Sequence, residues 1–375
     1  MTFQEERRNT FHTLDHVYAN AFRIPDFDFR KDRYVIFSDL HRCDKKGNDD
    51  FKVNEMIYCY ALAMYYQKGY TLVLNGDIEE GMEADYPAIT REYQDTAYAM
   101  ERRFVDEHRY LRILGNHDLE WSDPAAVAQF LSPYLGAIQV HEAVLLGDQI
   151  FMLHGHQGAP PESPFERFIV RYVWRYLQRW GLTKPLLPIL QKYQLVYDRA
   201  ATNNVIRGNR DKLLYEWANQ KKLLLIAGHT HRTMFKSFSR IGQIRDKIER
   251  ITNMEDSLTL QFLKPALLEK LTSILSESRE ELARDKSANR LGPAPVPCYF
   301  NSGCCVYKDG ITGIELDRGS IRLIKWEISE TTCECKELLK RNSDLFITIE
   351  RKIYHSDDLG NILNAIRRPG DEQGA

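Results

Sequence analysis

The stretch YVIFSDLH, Tyr34 to His41, is a run of four apolar residues followed by a carboxylate and an imidazole two positions apart. An unbroken apolar run of this length reads as a strand buried on both faces. The same form recurs in TLVLNGD at 71–77, LRILGNHD at 111–118 and KLLLIAGHTH at 222–231, each strand ending in Gly, Asp, Asn or His. AVLLGDQIFMLHGH at 143–156 reads as two strands about a Gly147-Asp148 hairpin turn, the second running into His154. NEMIYCYALAMYYQKG at 54–69 has helical length and closes on a glycine, so it is the expected crossover helix between the first two strands. The pattern is α/β.

Outward from this frame, residues after Pro297 (CYFNSGCCVYKDGITGIELDRGSIRLIKWEI) predict three or four short strands turning at Asp309-Gly310 and Arg318-Gly319, a second sheet. Strands alternating with helices and then a strand-rich end predict a four-layer αββα sandwich of two mixed sheets with flanking helices. Phe11, Leu14, Val17 and Phe22 predict an N-terminal helical segment over 1–30 before a turn at Pro25. The main domain is expected over 31–331, with helical insertions at about 163–220 and 237–297 and a C-terminal extension at 332–375 that frays from about 358.

The chain has 375 residues, 43% hydrophobic and 28% charged, and a formal net charge of -2. That balance is ordinary for a folded globular protein and gives no chain-wide reason to bind nucleic acid. Apolar runs fall short of the roughly 18–20 residues that span a bilayer, and MTFQEERRNTFH carries no apolar signal core, so a cytoplasmic location is expected. The seven cysteines, Cys43, Cys59, Cys298, Cys304, Cys305, Cys333 and Cys335, show no metal or disulfide spacing and are read as reduced.

Chemistry concentrates at five strand ends: Asp39-Leu-His41, Gly76-Asp77, Gly115-Asn116-His117-Asp118, His154-Gly-His156 and Gly228-His229-Thr-His231. Loops at the carboxyl ends of neighbouring strands converge on one crevice, so these residues are expected to meet. Carboxylate oxygen and imidazole nitrogen suit divalent Mn, Fe or Zn, and no thiolate stands among them. Strand alternation is expected to send Asp39 and His41 to the same side. Taken singly, each cluster has a bland reading as a turn or a satisfied polar pair; five together, each directly after an apolar run, read as a metal site.

The order D-x-H, GD, GNH(D/E), H and GHxH resembles the calcineurin-like metallophosphoesterases, across about residues 33–330, with NSG and the hairpins at 301–327 similar to that family's second sheet. The resemblance implies two divalent cations, Mn first and Fe or Zn as alternatives. It places Asp39, His41 and His231 on one, Asn116, His154 and His229 on the other, and Asp77 between. It implies that His117 serves the leaving oxygen, with Asp118 and Glu80 behind the ligands and Glu80 orienting the catalytic histidine. The implied activity is hydrolysis of a phosphodiester, pyrophosphate or phosphomonoester by a metal-activated water.

Arg42 reads either as a phosphate contact or as a surface arginine, and His156 as substrate-facing or simply polar. Gly208-Asn209-Arg210-Asp211 repeats the GN-x-D spelling but follows His154 within a helical stretch, the wrong place for a ligand loop. The Trp- and Arg-bearing segment 163–197 reads as packed helices with a basic face, or as a lid that meets an acyl chain or a membrane surface. Relatives acting on UDP-2,3-diacylglucosamine carry such a lid, although they commonly have Arg where this chain has His117. A nucleotide-linked or lipid-linked small substrate is therefore expected, with nucleic acid disfavoured. The segment 237–297 reads as a helical hairpin or homodimer contact. A non-catalytic scaffold and a nuclease on the same fold are the rival readings.

Overall fold

In the apolar strands, burial alternates between two packing layers. The computed structural model describes residues 3–46, 49–159, 204–236, 296–330 and 347–367, with five isolated positions between 265 and 273. In β2 (Arg33–Phe37) Tyr34 and Ile36 join one core cluster while Val35 and Phe37 join another, and in β3 (Thr71–Asn75) Val73 parts from Leu72 and Leu74 in the same way. That is the period of two expected of strands covered on both sides. The outer layer packs on the helix Glu55–Gln67 through Ile57, Tyr58, Ala61, Leu62 and Tyr65. The other cluster joins the two sheets to each other and to α1 (Phe3–Ala19) and the helix Asn204–Lys221.

One sheet has seven strands: β2, β3, β4 (Tyr110–Ile113) and β5 (Val140–His141) run parallel, and β11 (Ile311–Asp317), β12 (Ser320–Glu330) and β13 (Ile347–Asp358) extend it antiparallel from β2. The other has six, in the order β1 (Phe22–Ile24), β6 (Ala143–Leu146), β7 (Ile150–Leu153), β8 (Leu224–Ala227), β10 (Tyr299–Ser302) and β9 (Thr233–Met234). Both sheets are mixed and helices flank them, the expected sandwich.

The strands are shared out differently from the expectation. The segment after Pro297 does not make a sheet of its own: β10 pairs parallel with β8, Tyr299 beside Leu225, whereas β11 pairs antiparallel with β2, Ile314 beside Ile36. The chain thus crosses between the sheets after the NSG turn, and one hydrophobic pattern serves two sheets. At the N-terminus the helix stops at Ala19 and Phe22 opens β1, 41% exposed. The fraying expected from about 358 is replaced by the helix Leu359–Arg367, which buries Leu359, Ile362, Leu363 and Ile366 at helical spacing.

Parallel β7 and β8 need a crossover, and Asn204–Lys221 is its helical end, with Leu213, Leu214 and Trp217 fully buried. The rest of the first expected insertion, including the lid and membrane reading at 163–197, lies outside the described residues, as does nearly all of 237–297. No helix among the described residues is long and apolar enough to cross a membrane, and among them Cys43, Cys59, Cys298, Cys304 and Cys305 form no disulfide.

Beneath the loops that follow β2, β3 and β4 lies a fully buried ionic cluster. Arg42 pairs with Glu101 and Arg112 with Glu79. Tyr58 donates to Glu101 at 2.9 Å, while Tyr98 and Trp121 donate to Glu79 at 2.7 and 2.9 Å. Removing one member of such a set strands a buried charge, at a cost of about 3–5 kcal/mol. Glu79→Ala is expected to lose stability in that range in urea unfolding at unchanged denaturant slope; a loss below about 1 kcal/mol would show that Arg112 does not depend on this carboxylate.

Candidate metal centre

Five loops at the carboxyl ends of β2, β3, β4, β7 and β8 meet where the two sheets are stitched together. Asn75 Nδ2 donates to the Leu153 carbonyl at 3.0 Å and His154 Nδ1 to the Asn75 carbonyl at 2.8 Å. Ser38 Oγ lies 2.7 Å from Ser302 Oγ, and the His229 amide donates to the Asp39 carboxylate at 3.0 and 3.1 Å. These contacts run from one sheet to the other.

Backbone geometry departs from the strand at the ligand positions. β2 ends at Phe37, so alternation does not place Asp39 and His41 together as expected; both sit in the left-handed region, at φ of 54° and 46°. Asp77, His229 and His231 share it, at 53°, 66° and 52°. Such residues cost of order 1–3 kcal/mol each and persist only where surrounding contacts over-determine them. Here the loops bond side by side: the Asp39 amide to the Gly76 carbonyl, His41 to Asp77, both at 3.0 Å, and Glu80 to Arg42 at 2.8 Å. Gly76, at φ 82°, lets His154 approach, since an added Cβ would lie 2.5 Å from its ring; a Cβ at Gly115 would collide with Asp77.

Three sets of possible ligand atoms result: Asp39, His41 and His231; Asp77, His154 and His229; and His41, Asp77 and His117. In the first, His231 Nε2 is 3.0 Å from Asp39 Oδ1 and 3.1 Å from His41 Nε2. In the second, His154 Nε2 is 3.0 Å from Asp77 Oδ2. His41 Nε2 lies 3.9 Å from carboxylate oxygens of both Asp39 and Asp77, so the first two sets adjoin. Asn116 precedes His117, whose amide donates to Asp77 Oδ1 at 2.8 Å, and its buried Oδ1 has no hydrogen-bond partner among the described residues.

The donor chemistry tests whether cations fit. His154 Nδ1 faces a carbonyl, which only accepts, so Nδ1 carries its proton and a neutral ring turns a lone pair toward the Asp77 carboxylate. His41 Nδ1 faces Glu80 Oε2 at 2.8 Å, which likewise turns the Nε2 lone pair toward His231 Nε2. Lone pairs and carboxylate oxygens converging on the same space repel unless a proton or a cation lies between. The residues fit divalent cations, with Glu80 and the Asn75 carbonyl fixing the tautomers from behind.

Electrostatics agree. Burial opposes the His154 charge, but Asp77 and Asp39 push its pKa up to about 9. His231 likewise overcomes burial through Asp39 and rises well above the usual imidazole value. Asp77 is held well below the carboxylate range, where His154 and His117 outweigh its burial. His229 goes the other way, well down, because burial and the charge of His154 both disfavour its protonation.

The remaining expected residues fall into four groups. His117 and His41 both bond through Nδ1 to Glu80, at 2.8 Å each, so one carboxylate holds both rings; against burial, those histidines keep Glu80 ionised. Asp118 accepts from the Gly115 amide at 2.7 Å and the Ile78 amide at 2.9 Å and is pushed up to about 7 by burial, with Arg112 opposing. His156 lies at an angle to His154 and His229, ring centres 5.6 and 6.3 Å away, and burial together with His154 pushes it down to about 3. Arg42 corrects both of its readings: it is 0% exposed and tied into the ionic cluster below, so it is neither a phosphate contact nor a surface residue. The contacts of Asn75, Ser38 and Ser302 went unread in the sequence, although each directly adjoins a quoted motif.

Two mixed sheets whose strand-end loops collect carboxylates and imidazoles at shared vertices define a metal-dependent phosphoesterase. Residues 33–233 match the family described as calcineurin-like phosphoesterase, and the chain belongs to that family. Neither a curated protein nor a solved structure matches the chain.

Protonation yields a direct test. Without a cation, His154 is protonated at neutral pH, and a cation beside Asp77 must displace that proton. Affinity for Mn2+ is expected to rise with pH and level off above about pH 9. Because the folded value exceeds the ordinary 6.5, the cation-free protein keeps this stabilisation below pH 6.5 and loses it as pH rises through about 9. Titration calorimetry in two buffers of different ionisation enthalpy checks it: binding at pH 7 without proton release contradicts the assignment.

Proposed function

We propose that the chain hydrolyses a phosphodiester, pyrophosphate or phosphomonoester with two divalent cations, Mn2+ before Fe or Zn. Asp39, His41 and His231 would hold one, Asn116, His154 and His229 the other, and Asp77 both. The observation that carries this reading is the set of converging lone pairs, His41 against His231 at 3.1 Å and His154 against Asp77 at 3.0 Å. When bound, two such cations activate a shared water and neutralise charge on the phosphoryl oxygens. An all-oxygen and nitrogen donor set favours Mn2+ over softer ions.

The chain's own residues then have separable tasks. Asp77, its Oδ1 held by the His117 amide, presents Oδ2 toward His154, and that orientation suits a shared ligand. His117, its Nδ1 held by Glu80, would act as the doubly protonated ring, give its Nε2 proton to the leaving oxygen and keep the Nδ1 proton on the bond to Glu80. Asp118 joins the GD and GNHD loops through main-chain amides and so keeps Asp77 and Asn116 in register.

Purified protein supplemented with Mn2+ is expected to cleave bis-(p-nitrophenyl) phosphate, and Asp77→Ala to reduce this to background; wild-type turnover in that variant contradicts a shared ligand. For His117→Ala, two bound Mn2+ are expected with kcat lowered by about a hundredfold or more. An unchanged kcat removes the proton-delivery role and leaves the cation assignment standing.

A further inference from the structure

The helix Asn204–Lys221 carries the GN-x-D spelling that lies outside the ligand loops, and its last two letters are spent on those loops nonetheless. Arg210 is buried, with Nε donating to the Gly155 carbonyl at 2.7 Å, Nη1 to Thr10 Oγ1 at 3.0 Å and Nη2 to the Gln157 carbonyl. Its neighbour Asp211, also buried, accepts through Oδ1 from Thr230 Oγ1 at 3.0 Å and from Tyr299 OH at 2.8 Å, and its Oδ2 lies 3.5 Å from Arg232 Nη1. Thr230 sits between His229 and His231, and Gly155 follows His154. The two loops are also bonded to each other, Gly228 amide to His154 carbonyl at 2.8 Å.

We infer that Arg210 and Asp211 are positioning residues of the metal centre, Arg210 setting the loop that bears His154 and Asp211 the loop that bears His229 and His231. The inference rests on the proposed two-cation reading. Consecutive helical residues point about 100° apart, so one rigid element reaches two loops at once. A guanidinium whose Nε and Nη2 engage two carbonyls of the loop, with Nη1 on the Thr10 hydroxyl of α1, ties the loop's main chain to the helices, which is what a loop with φ of 113° at Gly155 needs to hold one shape. Asp211 fixes the single residue between two histidines that belong to different ligand sets, so it acts on both cations, whereas Arg210 acts on one.

That asymmetry makes the inference testable on the full chain by equilibrium dialysis of Mn2+ together with electron paramagnetic resonance, which separates a spin-coupled ion pair from single ions. Arg210→Met is expected to weaken one of two Mn2+ sites by about tenfold or more, and Asp211→Ala both. Asp211→Asn keeps the Oδ1 acceptor and is expected to restore both sites to near wild-type affinity. Circular dichroism and thermal unfolding in chelator follow the fold separately. If either truncation fails to fold, Arg210→Lys and Thr230→Val remove part of the same bonds, and the same one-site and two-site losses are expected. Two sites of wild-type affinity in the folded variants, or an Asp211→Asn protein as impaired as Asp211→Ala, overturn the inference. A wild-type chain that does not bind two Mn2+ overturns the two-cation reading instead.

Discussion

Everything at this centre depends on the repulsion among ligand atoms that the fold forces together. His41, His231 and Asp39 meet within 3.0–3.9 Å, as do His154 and Asp77 at 3.0 Å, and the second nitrogens of His41 and His154 are committed to partners behind them. Only a proton or a cation held between them relieves that arrangement. The left-handed backbone at Asp39, His41, Asp77 and His231, and at His229 beside them, stores a further cost. What offsets both is the surrounding hydrogen-bonded seam and the large apolar interior joining the two sheets.

Parallel pairing explains why the ligands can be so far apart in sequence. β2, β3 and β4 point their carboxyl ends one way, β7 and β8 supply the facing edge, and the stitches Asn75 to Leu153 and Ser38 to Ser302 close the gap between sheets. The buried Arg42, Glu79, Glu101 and Arg112 cluster then supports three of the five loops from below, which is why an arginine adjoining a ligand histidine is structural here.

Most of the site was legible because each ligand follows an apolar run that only a doubly covered strand explains, and because Glu80 lies at a short fixed distance from Asp77. The parts that were not legible depend on pairings between distant segments. Nothing local in GSIRLIKWEI tells β12 that its partner β11 will lie against β2 instead of β10. Arg42 looks like a surface cation until Glu101, nearly sixty residues away, is brought beside it. The Leu359, Ile362, Leu363 and Ile366 spacing is helical, and the core that these residues join is assembled from distant strands. Alternation gave the correct meeting of Asp39 and His41 for a reason the backbone does not use.

Glu80 gives the centre a property of its own. Its carboxylate is shared by His41, a candidate ligand, and His117, the candidate proton donor. Under the proposed reading, this one carboxylate would bear both on how strongly one ring holds a cation and on how readily the other parts with a proton. A change at Glu80 would reach both rings at once, whereas a change at His117 alone leaves the bond between Glu80 and His41 in place.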